Sequence, residues 1–410
     1  MSLLSKNTFL LTGAMVGQKA IAFVYFAIIA RSMGAEITGQ YFLALSLTTM
    51  VGVVADFGMT SVLIRDGAKA KESIERYLGT IWAAKALFIA AAFLLSIILS
   101  DIFGYDYELR QLVVLAAVIT ALDAVHLTLY GILRAHETIK AESLGMFAGQ
   151  AVTLIAGAIF IVYVKTPAAL MIALMLGSIT NIAISFIALK MKKIKAFSFT
   201  ISRDAFQTLL KSAWPFALAA IFVKIYSSAD AIMLRHYFDD DTVGVYSVAY
   251  KLTYAFQFLP MAFIAALYPR MSAVIGQYDR IELKRVLLKS MSYMAMLAFP
   301  IVFGIFSTAD MIVPFVYGSD YGTAVVTLQI MVFSLLFIFL DFPIGTLLNA
   351  DNRQTTKTLI MGGTMVVNLV LNFILIPKYG GIGAASSAVI AFAFLLLAGI
   401  IALHKSVPMV

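Results

Sequence analysis

KAIAFVYFAIIARSMGAEITGQYFLALSLTTMVGVVADFGMTSVLIR (19–65) and KIYSSADAIMLRHYFDDDTVGVYSVAYKLTYAFQFLPMAFIAALYPR (224–270) are two copies of one pattern. Shifted by 205 positions, Lys19 superposes on Lys224, Gly39 on Gly244, Tyr41 on Tyr246, Thr48 on Thr253 and Arg65 on Arg270 without a gap. Each copy begins with a lysine inside a long apolar run. A cation in hydrocarbon costs about 2.5–3.5 kcal/mol on insertion scales, so a repeated pair at mid-membrane depth implies a polar path through the interior. Two similar halves around such a path are the organisation of a transporter.

The rest of the chain fits a membrane. Of 410 residues, 62% are hydrophobic and 13% charged, where soluble domains carry about 25% charge. Continuous apolar runs of bilayer length exclude a barrel, whose strands alternate, and leave an all-α fold. Runs between charged or Gly/Pro breaks place twelve spans near 8–30, 39–62, 78–100, 111–133, 143–164, 168–189, 212–234, 244–267, 287–308, 323–348, 358–376 and 382–403. Lys19 within the first run, and no small-x-small cleavage site, argue that this span is retained.

Orientation follows from the loops. With the N-terminus inside, 21 Lys and Arg residues fall in inner segments, five in outer segments and four within spans, which places both termini in the cytoplasm. The net charge of +8 then faces anionic headgroups and calls for no nucleic acid. Cysteine is absent, and the four histidines (126, 136, 236, 404) lack metal-ligand spacing, so no metal or cofactor is expected.

The longest inner loop, KMKKIKAFSFTISRDAFQTLLK (190–211), is basic and then amphipathic through Phe197, Phe199, Ile201, Phe206 and Leu209. It reads as a linker lying partly on the membrane surface. The expected organisation is a six-helix lobe over 1–190, a cytoplasmic linker over 191–211 and a second six-helix lobe over 212–410. With six spans each, the lobes are parallel and related about the membrane normal. Outer loops are short, the longest being ADMIVPFVYGSDYG (309–322), which leaves no room for an outer domain.

Helical spacing groups the polar residues into stripes: Lys224, Ser228, Ala231 and Arg235; Ser247, Lys251, Tyr254 and Phe258; Thr49, Gly52, Asp56 and Thr60; Thr120, Asp123, His126 and Tyr130. The lysines read either as a cationic cavity for an anionic headgroup or as structural ion pairs with Asp56 or Asp230. Arg31, Arg65, Arg235 and Arg270 add cations at span ends, with snorkelling the competing use of Arg65 and Arg270 and the preferred use of Lys85. Asp123 and His126, at i and i+3, could respond to protons, and Asp56 and Asp230 are similar ion-coupling candidates. Asn368, Asn372 and the nearby glycines read as helix-packing residues. No nucleophile motif, phosphate loop or paired-carboxylate signature supports an enzyme.

The same residues carry a family resemblance. IIARSMGAEITGQYFLALSLTTMVGVVADFGMTSVLIR (28–65), ADAIMLRHYFDDDTVGVYSVAYKL (229–252) with LYPRMS (267–272), and LLNADNRQTTKTLIMGGTMVVNLVLNFILIPKYGGIGAASSAVIA (347–391) resemble polysaccharide flippases. Those belong to the multidrug/oligosaccharidyl-lipid/polysaccharide exporter superfamily. The resemblance implies twelve helices in two lobes around a central cavity and alternating access. It implies a multi-pass protein of the cytoplasmic membrane that moves a polyprenyl- or dolichyl-linked oligosaccharide to the outer leaflet. Carried over residue by residue, headgroup binding falls to Lys19, Arg31, Arg65, Lys224, Arg235, Lys251 and Arg270. The expected partners are membrane lipids and a glycan polymerase, ligase or glycosyltransferases, with the chain itself a monomer. Lipid II flippases of the superfamily usually carry two further helices that 410 residues do not provide. A cation antiporter of the same superfamily, which would want an acidic cavity, and a membrane-embedded glycan polymerase or ligase are the competing readings.

Overall fold

Helix punctuation decides this fold, because nearly every residue sits in an apolar run that any helix would accept. The computed structural model describes residues 3–69, 71–198, 200–276 and 280–404. They form α1 (Leu3–Asp56), α2 (Met59–Lys69), α3 (Lys71–Ile102), α4 (Tyr107–Ala135), α5 (Ile139–Tyr163), α6 (Pro167–Met191), α7 (Arg203–Tyr237), α8 (Asp240–Ala255), α9 (Phe258–Gly276), α10 (Arg280–Tyr317), α11 (Ala324–Met331), α12 (Ser334–Ala350) and α13 (Gln354–His404). No strand occurs among the described residues.

Among those residues, nine helical stretches are long and apolar enough to cross a membrane. Two are double length: α1 has 54 residues and α13 has 51. At 1.5 Å per residue each would extend roughly 80 Å, more than twice the hydrocarbon core. Each breaks at one glycine, Gly34 (φ 80°) and Gly380 (φ 54°), where a left-handed backbone costs glycine little. The breaks fall between the expected spans 8–30 and 39–62, and between 358–376 and 382–403. With α8 and α9 as a further apolar segment, the helices are consistent with twelve crossings. The expected outer loop 309–322 is shorter than its sequence implies, because α10 continues through Pro314 to Tyr317.

Side chains such as Leu87, Leu94 and Ile98 on α3 and Phe299 and Phe303 on α10 are exposed. An apolar exterior of this kind has lipid as its solvent. The protein is a multi-pass membrane protein.

The chain divides into two compact units, Met1–Met33 with Gln40–Lys224, and Gly34–Gly39 with Ile225–Val410. In the first, Leu63, Leu78, Ile81, Leu133, Leu209 and Ala213 share one core. Residues 194–198 and 200–202 lie along α3: the Trp82 indole N–H donates to the Ala196 carbonyl (2.8 Å) and the Ser202 N–H donates to Thr80 Oγ1 (3.1 Å). Phe197 and Ile201 of the expected linker remain exposed beside these contacts. Phe206 and Leu209 turn into the core, and Phe197 packs on the Trp82 ring at 4.9 Å. Burying the indole and these apolar faces against α3 removes more apolar surface from water than a loose surface helix would.

In the second unit the repeat-related glycines meet. A Cβ on Gly39 would collide with the Asp240 carbonyl, and one on Gly244 with the Ala35 carbonyl. Neither obstacle is a side chain that could rotate away. The Tyr321 hydroxyl donates to Thr38 Oγ1 (3.1 Å), which donates to the Gly34 carbonyl (2.7 Å) and so braces the α1 kink. At the other end Asp239 caps α8, accepting from the Thr242 N–H (2.8 Å).

Candidate functional site

A carboxylate inside a membrane helix must find a partner, and the two units solve this differently. In the first, α1 ends at Asp56 because Phe57 (φ 43°) and Gly58 (φ 72°) turn the chain into α2. Gly58 has no Cβ and admits the α7 backbone, whose Ala213 carbonyl would lie 2.7 Å from one. The turn holds Asp56 beside α3, where Lys85 Nζ donates to it at 2.6 Å. Lys85 also donates to Thr60 Oγ1 (3.0 Å) and the Ala124 carbonyl (3.3 Å), and its side chain is 0% exposed. All three ammonium protons therefore have acceptors.

Snorkelling of Lys85 is thus overturned. The lysine turns inward because Asp56, Thr60 and Ala124 offer three oxygens at that depth, a better environment for the charge than a stretched path to the headgroups. Asp56 pairs with Lys85, and not with Lys19 or Lys224.

One face further round α4, Asp123 lies 3.3 Å from His126 Nδ1 and accepts from Ser178 Oγ at 2.6 Å. Tyr130 donates to Asn181 Oδ1 at 2.5 Å, tying α4 to α6. The expected Asp123–His126 pair is formed, with Ser178 as a third member that the sequence did not single out.

Of the headgroup candidates in this unit, Lys19 is exposed and Lys224 half-buried. Arg31 is exposed on α1. Arg65 is half-exposed, binds Asp66 through Nε at 2.7 Å and lies 5.9 Å above the Phe216 ring.

In the second unit Asp230, on α7, is buried and has only neutral donors among the described residues. The Tyr246 hydroxyl donates to Oδ2 (2.7 Å) and Asn372 Nδ2 donates to Oδ1 (2.5 Å). Asn372 Nδ2 also donates to Asn368 Oδ1 (3.1 Å), while Asn372 Oδ1 has no hydrogen-bond partner among the described residues. The cluster is rich in acceptors and contains no charged donor. An unpaired buried carboxylate of this kind is costly unless something positive joins it. The asparagines, read from sequence as packing residues, belong to this cluster. Their i, i+4 spacing on α13 was the available signal, since it places both amides on one face.

Also in this unit, Arg235 Nε contacts Asp240 Oδ1 at 2.5 Å, and Lys251 is half-buried on α8. Arg270 lies in α9, and its side chain is outside the described residues. Asp341 and Lys357, which sequence reasoning misses, both stand beside Gly345, whose missing Cβ would be 3.2 Å from Lys357 Nζ and 3.8 Å from Asp341 Oδ2. The signal was an acid in the middle of the span 323–348, the same criterion that flagged Asp56. Among the described residues no three His, Asp or Glu side chains gather as metal ligands.

Comparison with known proteins places this geometry in a family. Residues 4–275 match the family model described as polysaccharide biosynthesis protein, and residues 215–374 match the model described as MatE. The chain is 26% identical over 383 residues to a Haloferax volcanii protein named as the probable low-salt glycan biosynthesis flippase Agl15, covering 91% of this chain and 78% of that one. It is 23% identical to a putative O-antigen transporter of Shigella flexneri, over 90% of each chain. Among solved structures it resembles the lipid II flippase MurJ in an inward closed conformation, with TM-score 0.78 and 19% identity over 96% of this chain and 87% of that one. It also resembles an inward-facing multidrug resistance MATE transporter, with TM-score 0.76 and 14% identity over 96% and 98%. At such identities these two structures establish the fold.

Proposed function

We propose that this chain, which belongs to the polysaccharide biosynthesis protein family, is a flippase for a lipid-linked oligosaccharide. It moves the headgroup from the cytoplasmic to the outer leaflet by alternating access, with both termini in the cytoplasm. The observation that carries this reading is the repeat-related pair Lys19 and Lys224, two cations at matching positions of two membrane helices in a chain whose residues 4–275 match the polysaccharide biosynthesis family. A ligand bearing adjacent negative charges suits such cations, and a polyprenyl or dolichyl pyrophosphate has that chemistry. Arg31, Arg65, Arg235, Lys251 and Arg270 supply further cations to the headgroup.

Coupling falls to Asp230. Its acceptor-rich surroundings favour a proton or a monovalent cation such as sodium, whereas Asp56 already has Lys85. Binding of that ion in one state and its release in another would bias the transport cycle. Asp123 with His126 is a secondary candidate, able to respond to protons.

Binding tests the first part. Wild-type protein should gain thermal stability from a polyprenyl-pyrophosphate sugar and none from the neutral polyprenol. Lys19→Gln/Lys224→Gln should weaken the stabilising ligand about tenfold, the scale of one lost charge-assisted hydrogen bond. Equal response to both lipids would sink the headgroup assignment. A second reading, export of organic cations, is favoured by the MatE match over 215–374, which includes Asp230, Asn368 and Asn372. Stabilisation by organic cations in place of the glycolipid would select it.

A further inference from the structure

The 205-residue shift pairs two cavities as well as two lysines. In the first unit a cavity of about 480 Å³ lies among α2, α3 and the start of α7, with Val62, Tyr77 and Ile81 in its wall. In the second a cavity of about 780 Å³ lies between α9 and α10, and the residues in its wall at the same three positions are Leu267, Glu282 and Val286. The first cavity is closed on one side by Ala205, Thr208, Leu209 and Ser212 of α7. The second is lined by Phe263 and Leu267 of α9 and by Glu282, Arg285, Val286, Lys289, Ser290 and Tyr293 of α10.

Its chemistry has changed to match. Arg285 and Lys289 line the larger cavity, with Glu282 accepting from Arg285 at 2.7 Å. Lys289 sits 5.8 Å from the centre of the Tyr293 ring and pairs with no carboxylate among the described residues. Its counterpart in the first unit is Ala84, buried in the core. Phe263 and Leu267 form the apolar floor, and Phe263 meets Tyr293 edge to face at 6.2 Å. Cations at one end and aromatic and aliphatic side chains toward the span centre are the pattern of a phosphate on an apolar chain. The charge bias of the loops sets Arg285 and Lys289 at the cytoplasmic headgroup level, where anionic lipid concentrates.

The geometry points to a binding site for one anionic membrane phospholipid, seated between α9 and α10. Its phosphate lies on Lys289 and Arg285, and the upper part of one acyl chain lies along Phe263, Leu267 and Tyr293. The bound lipid fills the groove and ties α9 to α10.

The test uses the full chain in mixed vesicles, with Tyr293→Trp as reporter and the parent protein, whose indoles are Trp82 and Trp214, as background. Brominated phosphatidylglycerol should quench the introduced indole about fivefold more effectively than brominated phosphatidylcholine, the factor equivalent to about 1 kcal/mol for one unshared cation. Adding Arg285→Gln/Lys289→Gln should bring the ratio to one, and Glu282→Gln should raise it by releasing Arg285. Equal quenching by both lipids in the reporter protein, or a preference that survives the double substitution, overturns the site. Preferential displacement of phosphatidylglycerol by a polyprenyl phosphate overturns the choice of phospholipid as occupant. Weak quenching by both lipids that rises when residues 405–410 are deleted overturns it too, because the chain's own end would then fill the groove.

Discussion

Asp56 and Asp230 occupy membrane helices in the two units, yet one carries its counter-ion in the sequence and the other does not. Lys85 reaches Asp56 at 2.6 Å and is satisfied on all sides. Asp230 receives a tyrosine hydroxyl and an asparagine amide, and the neighbouring Asn372 Oδ1 has no hydrogen-bond partner among the described residues. A carboxylate with a built-in lysine is a structural fixture. One held by neutral donors is the site we propose for a mobile cation. On that proposal a repeated architecture uses one unit for rigidity and the other for response, with the choice set by a single basic side chain at the right depth.

The largest effect should come from the same substitution made at each site. Asp230→Asn should reduce gradient-driven flipping to the level of protein-free liposomes while leaving thermal stability equal or higher, since a buried uncompensated carboxylate is removed. Asp56→Asn should unfold more readily. Matching losses of stability at both positions would break the distinction.

Next in size, Lys85→Met should destabilise the protein by about 3 kcal/mol, the low end for a broken buried pair because Asp56 remains 26% exposed. Lys85→Met combined with Asp56→Leu should recover most of that loss, because replacing both members leaves no stranded charge. Detergent-solubilised thermal unfolding reads both, and failure of the double variant to recover would mean that the pair does more than neutralise itself.

The coupling ion should itself stabilise the second unit. At ten times its dissociation constant, sodium or acid should add about 1.4 kcal/mol. The gain should persist in Asp56→Leu/Lys85→Met and vanish in Asp230→Asn. Smallest of all, Asn368→Ala should weaken the ion about fivefold, near 1 kcal/mol, by removing the acceptor that orients the Asn372 amide. An unchanged affinity would confine the site to Asp230 and Tyr246.

Much of the fold was legible because apolar run length and glycine breaks are properties of sequence alone. Gly34 and Gly380 lie where spans had to end, and the shift of 205 that paired Gly39 with Gly244 marked two glycines that pack against backbone in the second unit. Rotation of each helix was not legible. The depth of Lys85 is visible in the sequence and its facing is not; only α1, α2 and α4 beside it reveal the three oxygens. The same holds for the start of α7: Leu209 and Phe206 form an apolar stripe that suits a bilayer surface or a protein core equally, and only tertiary packing sets both against the core of the first unit. Asn368 and Asn372 share a face by their spacing, but what that face meets is a tertiary fact carried by Asp230, far away in sequence.

The central claim is tested most directly by flipping of a short-chain fluorescent lipid-linked oligosaccharide in proteoliposomes. Wild type, Lys19→Ala/Lys224→Ala and Asp230→Asn are compared at equal incorporation, with and without a cation gradient. The account predicts gradient-stimulated flipping by wild type, loss with and without the gradient for the lysine variant, and, under the gradient, flipping by Asp230→Asn no faster than that of protein-free liposomes. Wild-type protein that flips no more than empty liposomes under either condition would contradict it.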